Sequence, residues 1–158
     1  MKGSTMRSVP SLLTMLGDQE PPRNVMPPWH YVHLRRRAAG LSIAQAAKPF
    51  WIRPEHQHDV ERHFRNLEAE NIRYQRLYVT EGKPYFFSVE VYHQLANLPP
   101  HQHPHICVGC GWDEHSTQYD HNGDDATWSA EQPDICTRCE QGAAWNAHKA
   151  EEKARHAA

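Results

Sequence analysis

The sequence predicts an α+β protein, in which a winged-helix-like domain of three helices and a β-hairpin precedes a small treble-clef-like finger and a C-terminal helix. Three observations predict this class: helical patterns between residues 29 and 70, a strand–turn–strand pattern between 77 and 89, and two cysteine pairs after residue 106. We therefore expect four segments: an N-terminal segment and linker (1–28), the winged-helix-like domain (29–98), a hinge (99–105) and the finger with its helix (106–158).

The helical patterns carry start and stop signals. Gly40 suits the end of a first helix, Ser42 can cap a second, and Pro54 suits the first turn of a third. We predict helices over residues 29–39, 43–48 and 54–70, followed by a short helix through Val91, Tyr92 and Leu95. In the third helix the apolar residues Val60, Phe64 and Leu67 recur at helical spacing, so this seam is expected to face the core.

The hairpin is predicted from two runs of β-branched and aromatic residues. These runs, Leu77–Thr80 and Tyr85–Val89, flank a turn-like Glu81–Pro84. Lys83 would then lie at the tip of the hairpin. Before the domain, Ser8 can cap a short helix ending at Gly17, and this helix would dock either on its own domain or on a partner.

Composition and charge restrict the classes of function. Apolar residues make up 39% of the 158 residues, which implies a modest core. Residues 1–98 carry thirteen Lys+Arg and nine Asp+Glu, whereas residues 99–158 carry four and ten, so an anionic partner is expected for the first part only. No apolar run approaches the roughly 20 residues that cross a bilayer, and no secretory leader pattern is present. We expect no membrane partner and a cytoplasmic location in a bacterial host.

The cysteines form the strongest pattern in the chain. Cys107 and Cys110 make one CxxC pair, Cys136 and Cys139 make another, and Gly111 follows the first pair as a tight knuckle requires. Four thiolates at this spacing predict one structural zinc ion, because zinc prefers four tetrahedral ligands and a reducing cytoplasm disfavours disulfides. Two disulfides, four free thiols or an iron–sulfur cluster are the alternatives. Asp134 is predicted to cap a helix that starts near residue 135 and holds Cys136 and Cys139 in its first turn.

A closed shell of four thiolates predicts a structural rather than a catalytic ion, so the protein is not expected to be an enzyme. A nuclease of the HNH type is the remote alternative, because Asp120-His121 lies between the cysteine pairs and His105 and His115 are near. For these histidines a solvated loop is the simpler interpretation.

Two parts of the chain resemble known kinds of protein. The first is the run Cys107-x-x-Cys110-Gly111, followed by Trp128-Ser129-x-Glu131-x-Pro133-Asp134-Ile135-Cys136-x-x-Cys139, which resembles a zinc-binding segment of small phage and prophage proteins. That family often has a further cysteine pair before the tryptophan, and residues 115–127 contain none. The resemblance implies an origin in a mobile element and does not imply a reaction.

The second resemblance concerns DNA. Residues 35–47 resemble the opening of a helix-turn-helix, and residues 60–72 resemble the recognition helix of a winged helix. With the apolar seam buried, the exposed polar side chains of that helix can reach phosphates or base edges of double-stranded DNA. The expected contacts are Arg62, His63, Arg65, Asn66, Lys83, Arg35, Arg36 and Arg37. Glu61, Glu68 and Glu70 in the same helix oppose this interpretation, since they would repel phosphate.

Two functions follow as hypotheses. The first is a zinc-binding, DNA-binding regulator of a phage or other mobile element. The alternative is a phage-encoded inhibitor or adaptor that binds a host protein through its acidic finger. A homodimer contact through Ala143, Trp145 and Ala147 is a further hypothesis, although packing of Trp145 on the finger is the preferred interpretation.

Overall fold

The computed structural model describes residues 25–75, 77 and 86–156, with the backbone alone for residues 152 and 156. Within these ranges the chain forms five α-helices. They are α1 (Pro28–Ala38), α2 (Ile43–Ala47), α3 (Gln57–Leu67), α4 (Val89–Asn97) and α5 (Thr137–His156). Short 3-10 turns at Lys48–Phe50, Pro54–His56 and Pro100–Gln102 complete the regular structure of the described part.

The predicted α+β class is wrong: the described residues are helical and contain no strand or sheet. At the second predicted strand, Phe86 and Phe87 form a bend, Ser88 caps α4 and Val89 begins the helix. Both phenylalanines are buried and their ring centroids lie 4.9 Å apart, whereas neighbouring side chains of a strand point to opposite faces. Of the first predicted strand only Leu77 is described, and it is buried. Lys83 and the predicted turn lie outside the described residues.

The finger also lacks the strands of the predicted treble clef in its described residues. Three isolated antiparallel bridges are found instead, Ile106–Asp113, Tyr119–Asp125 and Trp128–Cys136. Each bridge closes a loop without extending into a ladder, so this part of the chain depends on side-chain contacts for its shape.

The helix signals at Ser42 and Gly40 are confirmed, whereas the predicted helix from Ser8 to Gly17 lies outside the described residues. The Ser42 hydroxyl accepts a hydrogen bond from the backbone N–H of Gln45, and the Gln45 side chain accepts one from the backbone N–H of Ser42. This capping box satisfies two free donors at the start of α2. Gly40 ends α1 with a φ of 69°. Pro54 begins a 3-10 turn, so α3 starts three residues later than the proline alone suggests.

The main core is formed by the inner faces of α1 to α4. Its largest fully buried side chains are Tyr31, Tyr92, Phe64, Leu67 and Val32. The hydroxyl of Tyr31 accepts a hydrogen bond from the backbone N–H of Ser88 (2.8 Å), and that of Tyr92 accepts one from Tyr74 (3.1 Å). Burial raises the pKa of Tyr31 to about 12. Each buried phenol hydroxyl thus accepts a hydrogen bond from a backbone N–H that has no partner within a helix.

A buried ion pair joins α1 to the end of α3. Both oxygens of the Glu68 carboxylate accept hydrogen bonds from the Arg36 guanidinium, at 2.7 Å from Nη2 and from Nε, and the His33 Nδ1 lies 2.8 Å away. The Glu68 side chain is 8% exposed. This carboxylate, which the sequence presented as an obstacle to phosphate, is an internal partner of α1.

None of the helices in the described ranges combines the length and the apolar character that a membrane span requires.

Candidate metal centre

The four cysteines form one compact cluster. The sulfur atoms of Cys107, Cys110, Cys136 and Cys139 all lie within 4.8 Å of one another, and those of Cys110 and Cys136 are 3.6 Å apart. Four sulfurs placed tetrahedrally about 2.3 Å from one ion are separated by about 3.8 Å. Three of the cysteines are buried and Cys139 is half-buried. The cluster is compatible with a structural metal site.

The first pair lies on a tight knuckle that requires two glycines. The backbone N–H of Gly111 donates to the carbonyl of Cys107 (2.8 Å), and Gly111 has a φ of 73°. A Cβ on Gly109 would lie 2.9 Å from the sulfur of Cys139, so only glycine allows the second pair to approach the knuckle this closely. The need for glycine at position 111 is confirmed, whereas the sequence offered no signal for position 109.

The second pair is positioned differently from the prediction. Helix α5 begins at Thr137, so Cys136 precedes the helix and Cys139 lies in its first turn. The predicted cap at Asp134 is therefore wrong. Its carbonyl accepts a hydrogen bond from the Val108 backbone (3.0 Å), and its carboxylate lies 3.3 Å from Nε2 of His105. Asp134 thus fastens the second pair to the knuckle.

The thiols influence one another strongly. Hydrogen bonds from the thiols of Cys110, Cys136 and Cys139 lower the pKa of Cys107. Hydrogen bonds with the thiols of Cys107, Cys110 and Cys136 raise the pKa of Cys139. Four thiolates this close together would repel one another. A divalent cation would offset this repulsion, because all four sulfurs could then bind it as thiolates.

A small aromatic core supports the cluster. The imidazole of His105 stacks on Trp128 with 3.7 Å between ring centroids, and Trp112 lies 5.0 Å from Trp128. The indole N–H of Trp112 donates to the carbonyl of Ser116 (2.7 Å). His105 is therefore part of the packing of the finger and not a residue of a solvated loop.

Gln118 and Arg35 are the site residues that sequence reasoning missed. The Gln118 side-chain nitrogen lies 3.7 Å from the sulfur of Cys110 and 3.6 Å from that of Cys136, and its oxygen accepts a hydrogen bond from Arg35 (3.1 Å). Gln118 belongs to no motif, so its spacing carried no signal. Arg35 was expected to contact phosphate, and instead it reaches from α1 to the finger.

The other predicted DNA contacts are not gathered on one free face. Arg62 pairs with Asp59 and Arg65 pairs with Glu61, each at 2.9 Å and on the exposed surface of α3.

Four further predicted DNA contacts are described: His63 and Asn66 on α3, and Arg36 and Arg37 on α1. His63 packs edge-on against Tyr74, its Nε2 is buried without a partner among the described residues, and burial lowers its pKa. Asn66 is half-buried, Arg36 is bound to Glu68, and Arg37 is exposed.

The acidic residue of the nuclease alternative has a structural partner. The Asp120 carboxylate accepts hydrogen bonds from the backbone N–H groups of Asn122 (2.8 Å) and Asp124 (3.1 Å) and from the side chain of Gln141 (2.7 Å). The Gln141 bond is the first cause of its lowered pKa. Among the described residues, the four cysteines are the group of ligating side chains close enough to share one metal ion. His121 is exposed beside α5.

No protein-family model, curated protein or solved structure matches this chain.

Proposed function

We propose that the protein binds one zinc ion through Cys107, Cys110, Cys136 and Cys139, and that this ion has a structural role. The mutual proximity of the four sulfurs supports this proposal. Soft thiolates favour zinc, and four of them leave no open position for a substrate or an activated water. The zinc would supply the folding energy that a small aromatic core of this kind does not provide alone.

Elemental analysis of untagged protein, purified under reducing conditions, tests this proposal. We expect one zinc per chain, with no iron and no acid-labile sulfide. Cys136→Ser is expected to lower the zinc content strongly, because Cys136 is fully buried in the cluster. Ala130→Ser is the matched control, because it introduces the same side chain at an exposed position of the finger, and it should retain one zinc. A metal-free wild-type protein would overturn the proposal.

We infer that the finger and α5 form a surface that binds a basic protein. Trp145 on α5 is 61% exposed and Tyr119 is 57% exposed, and aromatic side chains of this kind commonly anchor protein interfaces. Packing of Trp145 on the finger was the preferred interpretation of the sequence, and most of the residue is exposed. Exposed carboxylates occur on the same part of the chain, at Glu114, Asp124, Asp125 and Glu131. Exposed carboxylates and exposed aromatic side chains on this part of the chain favour a positively charged partner surface.

The resemblance to phage and prophage proteins suggests that such a partner belongs to a bacterial host. Photo-crosslinking in host cells, from a reactive residue at position 144 next to Trp145, would test the surface. We expect one basic protein to be captured, with capture reduced by Trp145→Ala and by Asp124→Lys/Asp125→Lys, and weakened by salt. Ile52→Ala is the matched control, because Ile52 is 97% exposed and lies outside the finger. Equal capture by all variants would contradict the inference.

DNA binding is the second candidate, and one observation favours it. Arg62 and Arg65 are exposed on a single helix, at 61% and 53% of their side chains. Their partners in the same helix weaken the case, although the exposed Arg62–Asp59 pair is held by only about 0.5 kcal/mol and phosphate can compete for that arginine. Gel shifts with duplex DNA at several salt concentrations test it. The affinity for DNA should fall steeply as the salt concentration rises, and it should be lower still in Arg62→Ala/Arg65→Ala. An unchanged affinity in the double variant would show that this face of α3 does not bind DNA.

A further inference from the structure

Gln118 contacts one cysteine of each pair. It lies between the pairs in the chain, is 8% exposed, and its side-chain nitrogen is within hydrogen-bonding distance of both Cys110 and Cys136 (3.7 and 3.6 Å). A primary amide carries two N–H donors, so each donor has one sulfur to bind. The backbone carries a comparable bond from the N–H of Cys136 to the sulfur of Cys107 (3.3 Å).

Arg35 determines which way this amide faces. An arginine side chain only donates hydrogen bonds, and its Nη1 lies 3.1 Å from the side-chain oxygen of Gln118. The oxygen must therefore face Arg35, and although it lies 4.0 Å from the sulfur of Cys110, the nitrogen is the amide atom closer to the sulfurs. Arg35 is itself held, since its Nε donates to the carbonyl of Phe86 (3.2 Å) and its Nη1 also lies 3.5 Å from the carbonyl of Cys110.

We propose that Gln118, oriented by Arg35, is a positioning residue for the metal-bound thiolates, and that helix α1 thereby controls how tightly the finger holds its ion. This inference rests on the proposed zinc binding. It assigns a role to two polar residues that the cysteine motif does not include, and it connects the helical part of the molecule to the metal.

The reason is electrostatic. One zinc ion with four thiolates carries a net charge of about −2, and this charge is buried. N–H donors directed at sulfur draw electron density away from it, and the guanidinium behind the amide adds a positive charge that polarises the same hydrogen bonds. Both effects stabilise the thiolate form, slow the loss of the ion and make the sulfurs less nucleophilic.

Cobalt substitution and zinc competition provide the test. Co²⁺ in place of zinc gives a sulfur-to-metal charge-transfer band, whose energy falls when sulfur loses hydrogen bonds. In Gln118→Glu the carboxylate can still pair with Arg35, but the two N–H donors are replaced by an oxygen that repels the thiolates. We expect a red-shifted band, about 10–100-fold weaker zinc affinity against a competing chelator, and faster release of zinc. Gln118→Leu should shift the band in the same direction, and Gln102→Glu, at an exposed glutamine, should match the wild type.

Variants of Arg35 separate control of the metal from simple packing. Arg35→Met keeps an unbranched side chain against Gly111 but removes the guanidinium, so we expect a smaller red shift and a smaller loss of zinc affinity. Arg35→Lys keeps a positive charge but lacks the planar guanidinium, so it should recover part of the zinc affinity that Arg35→Met loses. Once Gln118 is replaced by Leu, Arg35→Met should change the cobalt band little further, because the two residues act in series.

The outcomes are distinct. A wild-type protein that takes up neither Co²⁺ nor zinc overturns the proposed zinc binding. A wild-type protein that binds both, with the same cobalt band and a zinc affinity within about twofold in Gln118→Glu, Gln118→Leu and Arg35→Met, overturns this inference alone. Destabilisation of Arg35→Met with an unchanged cobalt band also overturns it, since Arg35 would then be only a packing contact.

Discussion

Gly111 combines two demands in one residue. Its φ of 73° favours glycine, and a Cβ at this position would lie 2.9 Å from Cδ of Arg35. The first demand was visible in the sequence, because glycine after a CxxC pair is typical of a knuckle. The second was not, since the neighbour comes from a distant helix and no local pattern connects Arg35 with Gly111.

Replacing Gly111 should therefore lower the free energy of unfolding by more than the unfavourable backbone conformation alone would. We expect Gly111→Ala to lower the free energy of unfolding by more than Gly40→Ala, whose cost is about 1 kcal/mol for a left-handed residue. Gly40 is a close control, with a φ of 69° and no atom within 4 Å of the added Cβ. Urea unfolding of the zinc-loaded variants measures both. Equal losses of stability in the two variants would mean that Arg35 does not restrict the space at position 111.

At the scale of elements, the helices were predictable and the hairpin was not. Helix α2 is marked by a local capping box, and the seam of α3 is buried as its spacing indicates at Phe64 and Leu67. Phe86 and Phe87 have high strand propensity, but both side chains join the helical core with their ring centroids 4.9 Å apart, and this packing overrides the local preference. The contact between α1 and α3 was also hidden, because Arg36 and Glu68 each suggested a surface charge.

Glu68 gives a prediction for the pairing of α1 with α3. Glu68→Ala leaves the Arg36 guanidinium with its main partner missing in a poorly hydrated position, so we expect a loss of about 3 kcal/mol in the free energy of unfolding. Asp59→Ala is the matched control, because it removes an acid that pairs with an arginine on exposed parts of α3, and it should change stability by less than about 1 kcal/mol. Thermal unfolding at constant zinc distinguishes them; similar losses would contradict a structural role for Glu68.

At the scale of the whole molecule, the described chain has two apolar centres. The larger joins α1 to α4, and the smaller surrounds the cysteines, with Ala38 at the end of α1 packed against it. The cysteine cluster was predictable from spacing alone, because metal ligands impose their own pattern. The residues that hydrogen-bond to the cysteine sulfurs were not predictable, because the tertiary fold decides which donors lie near them.

Removing the metal should affect these centres unequally. With chelator we expect protease cleavage to begin between residues 114 and 131, while the far-ultraviolet circular dichroism of the helices is largely retained and the melting temperature falls. The finger has few apolar residues of its own, so it would depend on the ion, whereas α1 to α4 keep most of the larger core and lose mainly the contacts at the end of α1 and with Ile106. Added zinc should reverse the effect. Unaltered cleavage in the presence of chelator would show that the cysteines are not needed for the shape of the finger.

The sequence distances within the metal centre imply an order of folding. Cys107 and Cys136 are 29 positions apart, whereas Arg35 and Gln118 are 83 apart. Closing the shorter loop costs less chain entropy and is faster, so an ion bound as proposed would be captured first, by a finger that is still separate from α1. Docking of Arg35 would then follow as a second event, and the captured ion would become harder to release only after most of the chain has reached its final place.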